Sequence, residues 1–114
     1  MSFQNLPEIS VTELAQLMQN ADSVQFVDVR EPAELELANL PGFQNLPLSE
    51  SGEWAADIHS RLDAARETVV ICHHGMRSAQ MCQWLMSQGF DRVKNVAGGI
   101  DAYSQLVDHS VPRY

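Results

Sequence analysis

An α/β fold, with parallel strands in one sheet and helices on both faces, is the class this chain predicts. Three observations carry that expectation. Short β-branched runs, "SVQFVDVR", "TVVIC" and "RVKNV", alternate with stretches whose apolar residues recur at helical spacing. Turns between them are brief, and no repeat, linker or low-complexity stretch interrupts the alternation. At 114 residues, 45% of them hydrophobic, the length suits one domain over residues 1–114 with enough interior to shield a small active site.

Pro7-Glu8-Ile9 reads as a short edge strand. Ser10-Val11-Thr12-Glu13 has the capping-box form, and Val11, Leu14, Ala15, Leu17 and Met18 follow at helical spacing, so the first helix is expected to run to about Asn20. The run "SVQFVDVR" has the look of a buried strand ending near Asp28 to Arg30. Glu31-Pro32 opens a second helix, with Pro in the first turn and Glu31 and Glu34 toward the positive end of its dipole. It is short, because "NLPGF" interrupts it; Leu40-Pro41-Gly42 is a turn and "FQNLP" a brief strand. Residues 50–66 read as one helix with Trp54, Ile58 and Leu62 on one face.

"TVVIC" is the clearest strand of the chain. A helix from Ser78 to Gly89 follows, capped by Ser78, with Ala79, Cys82, Leu85 and Met86 on its apolar face and Gly89 as its stop. A strand around "RVKNV" and a last helix after Gly98-Gly99 close the chain. In open parallel sheets, reactive residues collect at the carboxyl ends of the strands. Asp28-Val29-Arg30 and Cys72 both stand there.

Composition narrows the function. The formal charge of -8 and the absence of a basic cluster argue against nucleic acid. No apolar run approaches the roughly 18 residues of a membrane span, and the opening "MSFQNLPEISVTE" has neither the basic flank nor the apolar core of a signal segment. A cytoplasmic protein is the expectation, with Cys72 and Cys82 kept as thiols. The acid is uneven: twelve Asp and Glu oppose three Arg before residue 72, whereas three oppose four basic residues from Cys72 onward. Most of it reads as a solvated surface, and only the slight positive excess around Cys72 invites a functional reading.

Three roles compete for Cys72: core filling, metal ligand and nucleophile. Core filling is the default for a free cysteine and fits Cys82, but Cys72 ends its strand and is followed by polar residues and a glycine. A metal site is not expected, since Cys72, His73 and His74 in direct succession cannot easily close on one ion, and His59 and His109 lie in unrelated segments. A nucleophile must be held as thiolate. The loop His73 to Arg77 can do that by aiming backbone N–H groups at the sulfur, with the dipole of the following helix and the charge of Arg77 beside it.

The segment "VVICHHGMRSAQMCQWLMSQGF" resembles the active-site segment of the rhodanese family, in which Cys opens a C-x-x-G-x-R loop followed by Ser and a helix. "FVDVREPAELELANLPGFQNLPLSE" and "VKNVAGGIDAY" are similar to the family's upstream Asp-Val-Arg-Glu signature and its closing Gly-Gly motif, so the resemblance runs from about Val24 to Leu106. It implies a five-stranded parallel sheet, no cofactor, and Cys72 as a nucleophile that carries sulfur as a persulfide. The donor would be thiosulfate or a related sulfane-sulfur compound, and the acceptor cyanide, a small thiol or a thioredoxin-like partner. It further implies that backbone amides of His73, His74, Gly75, Met76 and Arg77 cradle the outer sulfur and that Arg77 holds the donor's sulfonate. Asp28 and Arg30 match the family's Asp-x-Arg. Arg30 is carried as a substrate-binding candidate beside the alternative that both residues shape the site, as Ser78 is expected to. Asn39, Phe43 and Tyr103 depart from the family pattern without touching the sulfur chemistry.

Three rivals remain. A cysteine phosphatase or arsenate reductase uses a loop one residue longer than the C-x4-R spacing of Cys72 to Arg77. A persulfide carrier or redox-sensing module would use the same Cys72 on behalf of a partner protein. An inactive binding version of the fold would ordinarily lack the cysteine. A monomer is the default assembly.

Overall fold

A computed structural model describes residues 6–19 and 21–114. Five strands, β1 (Glu8–Ile9), β2 (Val24–Asp28), β3 (Phe43–Asn45), β4 (Glu67–Ile71) and β5 (Val93–Val96), form one sheet in the order β1-β5-β4-β2-β3. Every pairing is parallel. The central strand β4 is flanked by β2 and β5, and its residues Val69, Val70 and Ile71 have no exposure. That explains why it is the plainest strand in the sequence: buried on both faces, it has no polar alternation to blur it.

Alternate residues feed two cores. Val69 and Ile71 face one side with Phe26, Val96, Leu14 of α1 (Val11–Met18) and Ile100 and Tyr103 of α6 (Gly99–Leu106). Val70 and Cys72 face the other, with Trp54 of α3 (Ser51–Trp54), Ile58 of α4 (Ile58–Arg61) and Met81, Cys82 and Leu85 of α5 (Met76–Ser87). The α/β class with helices on both faces therefore holds. The capping box at Ser10 is present, Ser10 Oγ accepting from Glu13 N–H and Glu13 Oε1 from Ser10 N–H, both at 3.1 Å. The expected end of α1 at Asn20 lies outside the described residues.

Three expectations need correction. Residues 50–66 do not form one helix: 3-10 turns at Leu48–Glu50 and Ala55–Asp57 alternate with α3 and α4. Ser51, Gly52 and Asp57 are weak helix formers, and burial of Trp54, Ile58 and Leu62 fixes only one residue per turn, so the apolar spacing survives while the helix does not. The next helix, α5, begins at Met76 rather than Ser78, because Gly75 at φ 108° supplies the cap. Within it Met86 is exposed, and Met81 takes the core position instead. The remaining helix, α2 (Pro32–Leu37), starts on a Glu31–Glu34 capping box and lies beside the carboxyl end of β2.

Candidate active site

Cys72 follows directly on β4, and its chain then turns through His73-His74-Gly75 into α5. Two helix N-termini hold this loop. The first bond of α5 runs from Ala79 N–H to Gly75 O, which leaves the amides of Met76, Arg77 and Ser78 without an intrahelical acceptor. From α6, Ile100 N–H donates to Cys72 O at 2.9 Å and Asp101 N–H to His73 O at 3.1 Å. That approach depends on Gly99: a Cβ there would stand 2.4 Å from His73 O and 2.5 Å from Cys72 O.

At the sulfur, the two cysteines part company. Both are buried, Cys72 at 1% exposure and Cys82 at 0%. Cys72 Sγ, however, accepts the Gly75 N–H at 3.0 Å and lies 3.2 Å from Ser78 Oγ. Cys82 is a core thiol pushed up to about 12, chiefly by burial and then by the charge of Cys72. The core-filling reading is thus right about burial at residue 72 and silent about the donors aimed at its sulfur. Ser78 is not the helix cap; it stands inside the first turn of α5, fully buried, with its hydroxyl at the sulfur.

Arg77 also rises from the first turn of α5, but its guanidinium is engaged. Nη1 and Nη2 donate to Glu34 Oε2 and Oε1 at 2.6 and 2.9 Å. The bond from Arg77 holds the Glu34 carboxyl well below the usual range, at about 2, against an opposing desolvation. The Tyr114 hydroxyl donates to Glu34 Oε1 at 2.9 Å and accepts from Arg30 Nη1 at 2.9 Å. Its ring stacks on His73, centroids 3.9 Å apart and 7° from parallel. His73 is pushed below its ordinary value, first by burial and then by His74 beside it.

Arg30 has no exposure, and its donors reach Asp28, Glu34 O, Ala38 O and Tyr114 OH. A substrate group would reach this guanidinium only by displacing one of those bonds. Asp28 accepts from the Arg30 backbone and guanidinium and ties the end of β2 into the same network. His74 and Met76 point outward, Met76 at 65% exposure, and His74 Nδ1 lies 3.8 Å from Asp101 Oδ2. The structure thus gathers Gly75 and Ser78 at the sulfur, with Arg77 on the rim. Among the described residues no group of three or more His, Cys, Asp or Glu is arranged to hold a metal ion, and no helix is long and apolar enough to cross a membrane.

Three residues at the site carry no functional signal in the sequence. Glu34 reads there only as a dipole partner. Asn95, buried in β5, accepts from Ser78 Oγ at 2.5 Å and is detectable only as a lone amide in the run Val93-Lys94-Asn95-Val96. Nothing in the sequence points to Tyr114.

Comparison with known proteins identifies the family. The family profile described as "Rhodanese-like domain" matches residues 10–106. The chain is 50% identical to the "Rhodanese-like/PpiC domain-containing protein 12, chloroplastic" of Arabidopsis thaliana over 94% of its own length, and it spans only 37% of that relative. It is 36% identical to the "Thiosulfate sulfurtransferase GlpE" of Shewanella oneidensis, over 91% of this chain and 95% of the relative. Among solved structures, the human single-domain sulfurtransferase TSTD1 superposes with a TM-score of 0.73 at 28% identity, covering 90% of this chain and 98% of that one. The chain belongs to the rhodanese-like family of sulfurtransferases.

Proposed function

We propose that the chain is a single rhodanese domain that moves sulfane sulfur through a persulfide on Cys72, with thiosulfate or a similar compound as donor. The observation that carries this reading is the convergence of the Gly75 amide and the Ser78 hydroxyl on Cys72 Sγ, absent at Cys82. Donors already aimed at a sulfur stabilise negative charge there without reorganisation. In the first step the Cys72 thiolate attacks the outer sulfur of thiosulfate; the S–S bond breaks and sulfite leaves with its electron pair. In the second, cyanide or a thiolate attacks the outer sulfur of the persulfide, and the Cys72 thiolate is regenerated. The unpaired amides at the start of α5 give the transferred sulfur its cradle, and Arg77 is its cationic rim.

A phosphatase reading is disfavoured by the C-x4-R ring, one residue short of the oxyanion loop. A persulfide-carrier reading has one observation in its favour: the Arg77 fork is occupied by Glu34, so a sulfonate would have to compete for it. Acceptors in either case are thiophilic, cyanide, a small thiol or a thioredoxin-like protein, met by a monomer in a reducing compartment such as the cytoplasm. Intact-protein mass spectrometry after exposure to thiosulfate tests the proposal. One added sulfur, removed by cyanide or dithiothreitol and missing in Cys72→Ser, is expected; activity on an aryl phosphate with no sulfur uptake would reverse it.

A further inference from the structure

Between α3 and α5, on the side of the sheet that holds Cys72, the surface opens into a groove of about 280 Å³. Leu48, Ala55, Met81, Trp84 and the buried Trp54 line it, the two indoles meeting edge to face with centroids 5.7 Å apart. Trp54 is fixed in place, its Nε1–H donating to Pro47 O at 2.8 Å. Rigid aromatic walls of this kind bind best through one apolar side chain that fills them.

The groove leads away from the mouth of the Cys72 loop. Gln80, Met81 and Trp84 follow Arg77 at helical spacing and so share one face of α5 with it. On the other wall, Leu48 N–H donates to Val29 O, the residue before Arg30. Acid gathers at this junction. Ser49 Oγ donates to Glu31, while Glu50 and Glu53 adjoin the groove residues Ser51 and Trp54. The Glu50 carboxyl is pushed above its ordinary value, chiefly by its hydrogen bond with Glu53, then by desolvation and by the charges of Glu53 and Glu31. Among the described residues none of these three carboxylates has a basic partner, and Arg77 is already matched by Glu34. Like charges gathered without a cation favour a ligand that brings one.

We infer that this groove docks the sulfur acceptor, a protein segment that carries an apolar side chain next to a lysine or arginine about three residues from its thiol. The spacing follows from the roughly 10 Å of helix between Arg77 and Trp84 and the roughly 3.3 Å that each residue of an extended chain spans. The inference rests on Cys72 carrying transferable sulfur. In the step it serves, the acceptor thiol gives its proton to solvent and its thiolate attacks the outer sulfur of the persulfide; the S–S bond breaks and Cys72 leaves as thiolate. Docking orients that attack and does nothing for cyanide, which is too small to reach the groove. A second copy of this chain is a poor occupant, because its formal charge of -8 has the same sign as the junction.

The test is single-turnover sulfur transfer from the Cys72 persulfide to three blocked peptides, each rate taken relative to cyanide in the same protein. The first has a central cysteine with leucine three residues away on both sides and lysine beyond each leucine. The second replaces leucine with serine, and the third replaces lysine with glutamate. In the native protein the first peptide is expected to react about tenfold faster than the second and several-fold faster than the third. Trp84→Gln should remove the leucine preference, and Glu50→Gln with Glu53→Gln the lysine preference, with cyanide rates unchanged. Should Trp84→Gln fail to fold, Leu48→Ser decides. Equal rates for the three peptides, or preferences that survive in the folded variants, overturn the inference; dimerisation seen by light scattering beside equal rates would give the groove to a second copy. Failure to pass sulfur even to cyanide overturns the sulfurtransferase reading instead.

Discussion

Arg77 and Glu34 meet as a two-pronged ion pair, 2.6 and 2.9 Å, across the mouth of the Cys72 loop. The pair joins the first turn of α5 to α2, and through Tyr114 it reaches Arg30 and Asp28. Two guanidinium groups and two carboxylates are therefore linked beside the Cys72 loop, and their formal charges cancel. A dianionic donor approaching this rim meets a cation already matched by a carboxylate.

Replacing Glu34 with Gln should free that cation. Glu34→Gln is expected to lower KM for thiosulfate several-fold while leaving alkylation of Cys72 nearly unchanged; steady-state kinetics with cyanide as acceptor checks it, and an unchanged or higher KM counts against Arg77 as the sulfonate holder. Stability should move with pH as well. The Glu34 carboxyl is held at about 2 in the fold against an ordinary value of 4.5, so the folded state favours the ionised form. Its contribution is complete above about pH 4.5 and disappears as pH falls toward 2. Thermal melts between those values should show a steeper acid loss in the native protein than in Glu34→Gln.

Cys82 separates burial from reactivity. With its thiol pushed up to about 12 by burial and by Cys72, it should resist alkylation in the folded protein. One iodoacetamide adduct, on Cys72, is expected at neutral pH, and two after denaturation. Cys72→Ser should abolish sulfur uptake, whereas Cys82→Ser should keep most of it. Equal loss in both, with the fold intact, would contradict a core role for Cys82.

The elements legible in the sequence are those whose pattern has one physical cause. β4 is apolar because both its faces are covered, and the Cys72 loop stands out because a strand ends in Cys-His-His-Gly. The segment after residue 47 misleads because Trp54, Ile58 and Leu62 keep a helical period even where 3-10 turns break the helix. Glu34, Asn95 and Tyr114 are hidden for another reason. They reach the site from three distant segments, and only parallel pairing at the carboxyl edge of the sheet brings them together.

Gly99 is where the last helix touches the loop. At φ 62°, with Cys72 O and His73 O where a Cβ would go, Gly99→Ala faces both backbone strain and a clash with main-chain atoms. The conformation alone costs about 1–3 kcal/mol. Relieving the clash must pull Ile100 and Asp101 off the loop carbonyls they bond. Urea unfolding should show a loss of at least that size together with slowed persulfide formation. Gly52→Ala is the control: nothing lies within 4 Å of its Cβ position, and a gain of about 0.5 kcal/mol in α3 is expected.

Tyr114 divides into two separable contacts. Its ring lies flat on His73, and its hydroxyl joins Arg30 to Glu34. Tyr114→Phe keeps the ring and leaves one N–H of a buried guanidinium without that acceptor, which costs about 1–3 kcal/mol. Tyr114→Ala also removes the stack that holds His73, the residue next to Cys72. Urea unfolding should register a loss in both variants, larger in Ala, whereas alkylation of Cys72 should quicken several-fold only in Ala. Equal acceleration in Phe would mean that the hydroxyl network, rather than the stacked ring, keeps the loop closed over the sulfur.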